Sequence, residues 1–400
     1  AGDAAESVGR LCIGHSRLRA SDLKAGREGG AARGWWAEAH PTGQGFCRVG
    51  FSPQSKLNHK GAVFAKSSLF WGDSPSVAVR AQNLAPWGRS VHDLPVAASL
   101  SLRLASSPDE SGDHLNKVVE QPLLLGMMRL MQYPELAQPQ ALLGFIERCV
   151  ERGLSGFDHA DIYGAGECEA HFGAALQLRP ALREQVQLIG KADIVPAAQD
   201  SSRWQVKHYN TRADYLTQAV EGSLKRLGVE RLDGFLLHRP DPLLRVDEVA
   251  RALDDLVGSG KIGWLGVSNA ELLQCQTLAR ELPLRCNQIE LSLQAQDAAW
   301  DGRLHAMESE GVHVLAWSPM GGGRFGPELL RALDEVGAAL NATANQVALA
   351  WLRKLPGKPV PILGSLRWER IEEALLGAEL QLDTQTWFYL AQAARGHEVD

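Results

Sequence analysis

Four hundred residues, 45% hydrophobic and 22% charged with a formal net charge of −6, make a chain able to bury a large apolar core. The charge is spread along the chain, which argues against a basic field for nucleic acid or an anionic membrane, and no run of about eighteen apolar residues offers a transmembrane helix. The six cysteines (Cys12, Cys47, Cys149, Cys168, Cys275, Cys286) form no CxxC pair and no metal-ligand spacing with histidine. Neither structural zinc nor a disulfide framework is expected, and the thiols fit a reducing, cytoplasmic compartment.

Up to about Asn116 the chain has little periodicity. It is rich in Gly, Ser, Ala and Arg, with scattered Trp35, Trp36, Trp71 and Trp87. The apolar runs at 62–65 and 97–104 are too few to build a core, and the polar stretch SSPDESGD at 106–113 reads as a linker. An Arg- and Ser-containing leader suits organelle targeting, but Asp3, Glu6, Asp22 and Glu28 break the acid-poor pattern of a transit peptide. A low-order or irregular extension is expected over 1–116, with its role open.

From Lys117 onward the rhythm changes. Short apolar runs alternate with amphipathic stretches about every 30 residues, the pattern of βα units. Strands are expected at 123–126, 156–158, 186–190, 232–237, 262–267, 286–291, 312–317 and 360–363. Between them, Leu216, Ala219, Val220, Leu224 and Leu227 recur at helical spacing with Gly228 as a stop, and Val246, Val249, Leu253, Leu256 and Val257 do so before Gly258. Eight such units point to an α/β fold of the (β/α)₈ barrel type. An open doubly-wound sheet stays possible on periodicity alone, although the first βα turn lacks the GxGxxG of a dinucleotide-binding fold.

In a (β/α)₈ barrel, chemistry gathers where strands end. Strand two ends in Asp158, and Tyr163 follows in its loop; strand three delivers Lys191 and strand four His238. Strand five gives Ser268 and Asn269, strand six Gln288 and Glu290, and strand seven Trp317, Ser318 and Pro319 before three glycines. Singly, each has a plain structural reading: a packed tyrosine, a solvated lysine, a turn-capping histidine. Together, an Asp, Tyr, Lys and His on one rim form an acid–base constellation. A phenol is a poor acid at neutral pH, and a neighbouring ammonium stabilises its phenolate, so Lys191 is expected to lower the Tyr163 pKa while Asp158 fixes Lys191. His238 would donate to a substrate oxygen. This equipment protonates a carbonyl oxygen while hydride reaches its carbon, and since no side chain supplies hydride a nicotinamide cofactor is implied.

The motifs FDHADIYG, LIGKAD, SLKRLGVERLDGFLLHRPDP, GKIGWLGVSN, NQIELS, AWSPMGGG and PILGS follow one another in an order that resembles the aldo-keto reductase superfamily, most of all its bacterial-type branch of predicted oxidoreductases. The resemblance covers residues 117–400. It implies that Asp158, Tyr163, Lys191 and His238 hold the four catalytic positions, with Tyr163 as general acid. It also implies that Ser268, Asn269 and Gln288 hold the nicotinamide carboxamide, that the ring stacks on Trp317, and that Gly126, Ser318, Pro319, Met320 and Gly321 approach the cofactor. After strand eight, Gly364, Ser365, Arg367 and Arg370 suit a 2′-phosphate, so NADP(H) is favoured over NAD; a solvated helix face is the plain reading of the two arginines.

The sequence departs from that family pattern in places. His159 stands where many relatives have Thr, Met127 and Met128 where this branch commonly has Thr-Trp, and Ala374 where many NADP-binding relatives have Asn. The loop between Lys191 and Thr211, with Trp204, His208 and Tyr209, reads either as a pocket lid or as a packed structural loop. The expected function is NADPH-dependent reduction of an aldehyde or ketone. The partner is then a small-molecule carbonyl substrate, with no nucleic acid, membrane or metal ion, and the oligomeric state is open. The alternative is a cofactor-binding regulatory subunit like the channel-associated members of that superfamily.

Overall fold

The computed structural model describes residues 110–197 and 205–399, and seven short strand segments between residues 10 and 80. Within the unit Ala1–Ala98 those segments pair only with one another, antiparallel: Arg10–Ile13 with Ser16–Arg19, Leu23–Glu28 and Cys47–Gly50 on either side of Ala32–Ala37, and Ala62–Phe64 with Ala78–Arg80. The rest of the first 109 residues, where a low-order extension was expected, lies outside the described residues, as does Trp204.

In the second unit, β1 (Leu124–Gly126), β2 (Gly156–Asp158), β3 (Gln187–Ala192), β4 (Leu232–Leu237), β5 (Ile262–Ser268), β6 (Leu284–Glu290), β7 (His313–Trp317) and β8 (Val360–Leu363) close a barrel. Every pairing is parallel and between sequence neighbours, with β8 returning to β1. The barrel expectation holds, and the open sheet is ruled out by the β8–β1 ladder.

Alternation along the strands decides what faces in. Leu124, Ile189, Leu236, Trp264, Cys286, Leu315, Val360 and Ile362 form the packed interior. Room for the Trp264 indole comes from Gly234, where a Cβ would collide with the ring. Outside, Leu216, Val220, Leu224 and Leu227 bury the inner stripe of the helix Ala213–Leu227, and Gly228 ends it in the left-handed conformation at φ 67°. In the helix Val246–Gly258, Gly258 is the last helical residue and not the stop; the left-handed residue beyond it is Gly260, at φ 74°. Burying Val249, Leu253 and Leu256 stabilises that docking by about 1.5–3 kcal/mol per side chain.

A helix before the barrel, α1 (Glu110–Val119), begins inside the polar stretch read as a linker. Its Leu115 and Val118 join the interior cluster and so cover the N-terminal floor. His114 on the same helix lies 3.3 Å from Asp233, which also meets Arg183 at 3.0 Å and Arg231 at 3.6 Å. The loop between Lys191 and Thr211 opens with a two-residue ribbon, Ile194–Val195 against His208–Tyr209, at the opposite rim.

Candidate active site

At the C-terminal rim the inward alternation delivers polar residues where the layers below are apolar. Asp158 closes β2, Lys191 lies within β3, His238 follows β4, Ser268 closes β5, Gln288 lies in β6 and Trp317 closes β7. Lys191 was expected to follow its strand, but its residue pairs with Leu236 of β4 and extends the ladder. Tyr163 comes from the 3₁₀ turn Tyr163–Gly166 in the β2 loop.

Lys191 is 1% exposed, so its ammonium must be matched inside the protein. Its Nζ donates to Asp158 Oδ1 at 2.6 Å and to the His159 carbonyl at 2.8 Å. Burial works against the ammonium, but Asp158 and Tyr163 outweigh it and hold the lysine charged, above its ordinary pKa. Nζ also sits 5.0 Å from the Tyr163 ring centroid. The expected net lowering of the Tyr163 pKa is not what the structure gives. Burial pushes the phenol up, and Lys191 pulls it back only in part.

His238 packs edge-on to Tyr163, ring centroids 6.1 Å apart. Burial, then Lys191, Arg239 and Lys207, push its pKa down to about 2, so the imidazole is neutral at any ordinary pH. Its Nδ1 is buried without a hydrogen-bond partner among the described residues. A neutral ring can donate a hydrogen bond to a ligand oxygen without competing with Tyr163 to deliver a proton.

The residues expected to hold a carboxamide form one network with this acid–base set. Trp317 Nε1 donates to Asn269 Oδ1 at 2.9 Å, Asn269 Nδ2 to Ser268 Oγ at 2.8 Å, and Ser268 Oγ to the Gln288 carbonyl at 2.9 Å. The Gln288 amide in turn donates to Asp158 Oδ1 at 2.8 Å. Asn269 and Ser318, each just past a strand, hold left-handed φ of 57° and 51°, the kind of backbone strain that collects at functional sites.

Beyond Trp317, Gly321–Gly323 all take positive φ (53°, 73° and 72°), which leaves a stretch of backbone free of side chains. Pro319 is buried and Met320 half-buried beside it, while Gly126 is packed against Ile362 and the Leu363 carbonyl. On the far side, the exposed Gly364 and half-buried Ser365 lead into the N-terminus of the helix Trp368–Glu379. Arg367 caps that helix and Arg370 lies on it, but the Arg370 guanidinium already pairs with Glu373 at 2.7 Å. Side-chain-free backbone, a helix N-terminus and a cation suit the chemistry of a dinucleotide phosphate, with Arg367 freer to meet it than Arg370.

Other expected positions find plainer surroundings. Met127 is buried and Met128 is exposed in the β1 loop, Tyr209 is half-buried and His208 exposed in the ribbon, and Ala374 is buried on the helix Trp368–Glu379. Sequence reasoning passed over two residues. Asp193, fully buried just after β3, accepts the Arg239 backbone N–H on Oδ2 at 2.9 Å, and burial pushes its pKa up to about 8. Arg239 sets its guanidinium 5.9 Å from the Trp317 ring centroid. Both lie inside the motifs LIGKAD and LLHRPDP, close to Lys191 and His238, but nothing in those motifs singles them out.

The model of the aldo/keto reductase family matches residues 122–395. Oxidoreductase YdhF of Escherichia coli (strain K12) is 40% identical over 284 residues, covering 69% of this chain and 94% of that protein. A 6-dehydroglucose reductase of Agrobacterium fabrum is 38% identical, covering 69% of this chain and 95% of that protein. Among solved structures, the thermostable aldo-keto reductase Tm1743 in complex with the inhibitor epalrestat aligns with a TM-score of 0.60 at 26% identity, covering 68% of this chain and 95% of its own. An aldo/keto reductase from Klebsiella pneumoniae in complex with NADP and acetate aligns with a TM-score of 0.57 at 25% identity, covering 69% of this chain and 91% of its own.

Proposed function

Because the chain belongs to the aldo/keto reductase family, we propose that its rim reduces an aldehyde or ketone to the alcohol with NADPH, Tyr163 giving the proton. One observation carries this reading: the buried Lys191–Asp158 pair stands under the Tyr163 ring while a neutral His238 faces the same ring edge-on.

The substrate oxygen sits between the Tyr163 hydroxyl and the His238 ring. A nicotinamide, when bound, would supply the hydride that the carbonyl carbon needs. Tyr163 releases its proton to the oxygen, and the phenolate left behind meets the ammonium of Lys191, which Asp158 and the His159 carbonyl hold in place. Because burial raises the phenol's pKa, the attraction between phenolate and ammonium is strong only once charge develops, where it lowers the barrier and not the ground state. Solvent then reprotonates Tyr163. Ser268, Asn269 and Gln288 would hold the carboxamide, and Trp317 would offer its face to the ring. Ser318, Pro319, Met320 and Gly321 would meet the rest of the cofactor together with Gly126, Gly364, Ser365 and Arg367.

The NADP-bound structural neighbour supports the choice of cofactor, and the relative named 6-dehydroglucose reductase makes a sugar-derived aldehyde the first class to try. Four buried free thiols suit a cytoplasmic location, and no helix among the described residues is long and apolar enough to cross a membrane. The regulatory-subunit reading draws no support from relatives named as reductases. The test is NADPH and NADH oxidation by the full chain with a panel of aldehydes, comparing wild type and Arg367→Ala. The expected result is turnover with NADPH, and in the variant a KM for NADPH raised about 10- to 100-fold with that for NADH little changed, the worth of one charge-assisted bond. Equal use of NADH by wild type would remove the NADP assignment.

A further inference from the structure

Arg239 follows His238 directly, so whatever fixes one places the other. The Arg239 backbone N–H donates to Asp193 Oδ2 at 2.9 Å, and the His238 N–H donates to the Ala192 carbonyl at 3.0 Å. Asp193 holds a φ of 127° with no exposed surface, a costly conformation for a non-glycine residue, kept where it pins this peptide. The Arg239 guanidinium reaches across the rim from β4 toward β7, to within 5.9 Å of the Trp317 ring centroid. It therefore lies over the mouth that Tyr163, His238 and Trp317 enclose.

No acid among the described residues forms an ion pair with this guanidinium. Asp241, on the same loop, accepts from Thr211 Oγ1 at 2.7 Å and from the Leu243 N–H at 2.8 Å. Asp158 is matched by Lys191, and Asp193 accepts the Arg239 backbone N–H without pairing with its guanidinium. Glu290, at the end of β6, is exposed. Lys207 adds a second cation to the field at His238, and Lys191 stands below as a third. A half-buried cation with no ion-paired carboxylate among the described residues, beside two further cations, draws an anion. Its planar fork matches a carboxylate with two parallel hydrogen bonds.

We infer that Arg239 is a specificity-determining residue that binds a carboxylate of the substrate, making the preferred substrate an aldehyde or ketone that also carries an acid group. The inference rests on the carbonyl-reduction reading of the same rim. It adds to that reading the part of the substrate away from the reacting carbon, and it gives a use to a cation that proton transfer does not need.

The experiment compares 4-carboxybenzaldehyde with 4-methylbenzaldehyde, similar in shape and different in charge, in wild type, Arg239→Gln and Arg239→Lys, with NADPH affinity measured alongside. The expected result is a wild-type preference in kcat/KM for the carboxylate that falls about 10- to 100-fold in Arg239→Gln, mostly through KM, and is partly restored in Arg239→Lys. Equal losses on both aldehydes would overturn the inference and make Arg239 a support for Tyr163 and His238. A weakened NADPH Kd with the preference unchanged would also overturn it, assigning the cation to the cofactor. No turnover of either aldehyde by NADPH-bound wild type would instead sink the carbonyl reading, and the inference with it.

Discussion

At the floor of the barrel, Asp233 is fully buried and meets Arg183, His114 and Arg231 at 3.0–3.6 Å, while one of its oxygens also accepts the Leu188 N–H at 2.7 Å. At the rim, Asp158 and Lys191 are buried just as deeply, but the groups around them are left open. His238 Nδ1, both nitrogens of His159 and Asp193 Oδ1 have no hydrogen-bond partner among the described residues, and Asn269 and Ser318 hold left-handed backbones; at the floor Asp233 Oδ1 and Arg231 Nε lack a hydrogen bond too, but there the oxygen faces His114 at 3.3 Å and Arg231 at 3.6 Å. Two guanidiniums and an imidazole crowd one carboxylate at the floor and tie α1 to the strands. At the rim, polar groups stay open that no described residue meets. The same eight strands thus carry stability at one end and chemistry at the other, as expected where active sites sit on the C-terminal face.

The sharpest test of that division is Asp233→Ala. It strands two guanidiniums and the Leu188 N–H, and the expected cost is about 3 kcal/mol, read as a lower midpoint in denaturant. Turnover per folded molecule should change little, since Asp233 touches nothing at the rim. A variant as stable as wild type, or one that loses turnover while folded, would break the contrast between the two ends.

A smaller effect sharpens it from the other side. The pKa of Asp193 stands near 8 in the fold against an ordinary 3.8, so the fold favours its protonated form. That contribution is complete below pH 3.8 and is lost as pH rises through about 8. Asp193→Asn keeps an acceptor for the Arg239 N–H and tolerates positive φ, but cannot ionise. Its melting temperature should therefore gain on wild type between pH 5 and pH 9. Parallel curves for the two proteins would mean that Asp193 carries its charge in the fold without penalty.

How much of this was legible in the sequence follows from how local each signal is. The bounds of β2, β4 and β8 were read residue for residue, because apolar runs and turn residues define them. β3 was read short, because a lysine looks like the end of a strand until its partner, Leu236, is known. α1 was missed altogether because only Leu115, Val118 and Val119 pack on the barrel in an otherwise polar stretch. The four proposed catalytic side chains were visible as residue types at strand ends. The direction of the Tyr163 shift was not, because burial is set by the whole rim and outweighs the neighbour that sequence can name. Asp193 and Arg239 stayed hidden for the same reason: their contact joins loops 46 residues apart, and neither the buried carboxyl nor its φ of 127° leaves a local pattern.

The central claim, that the rim transfers a proton from Tyr163, is tested most directly by Tyr163→Phe in the full chain, with NADPH oxidation and NADPH binding measured side by side. The account predicts that aldehyde reduction falls by at least about 10²- to 10⁴-fold, the usual contribution of a positioned acid, while NADPH Kd and stability stay close to wild type. Retained turnover would show that another group supplies the proton, and loss of NADPH binding would show that Tyr163 serves the cofactor and not the reaction.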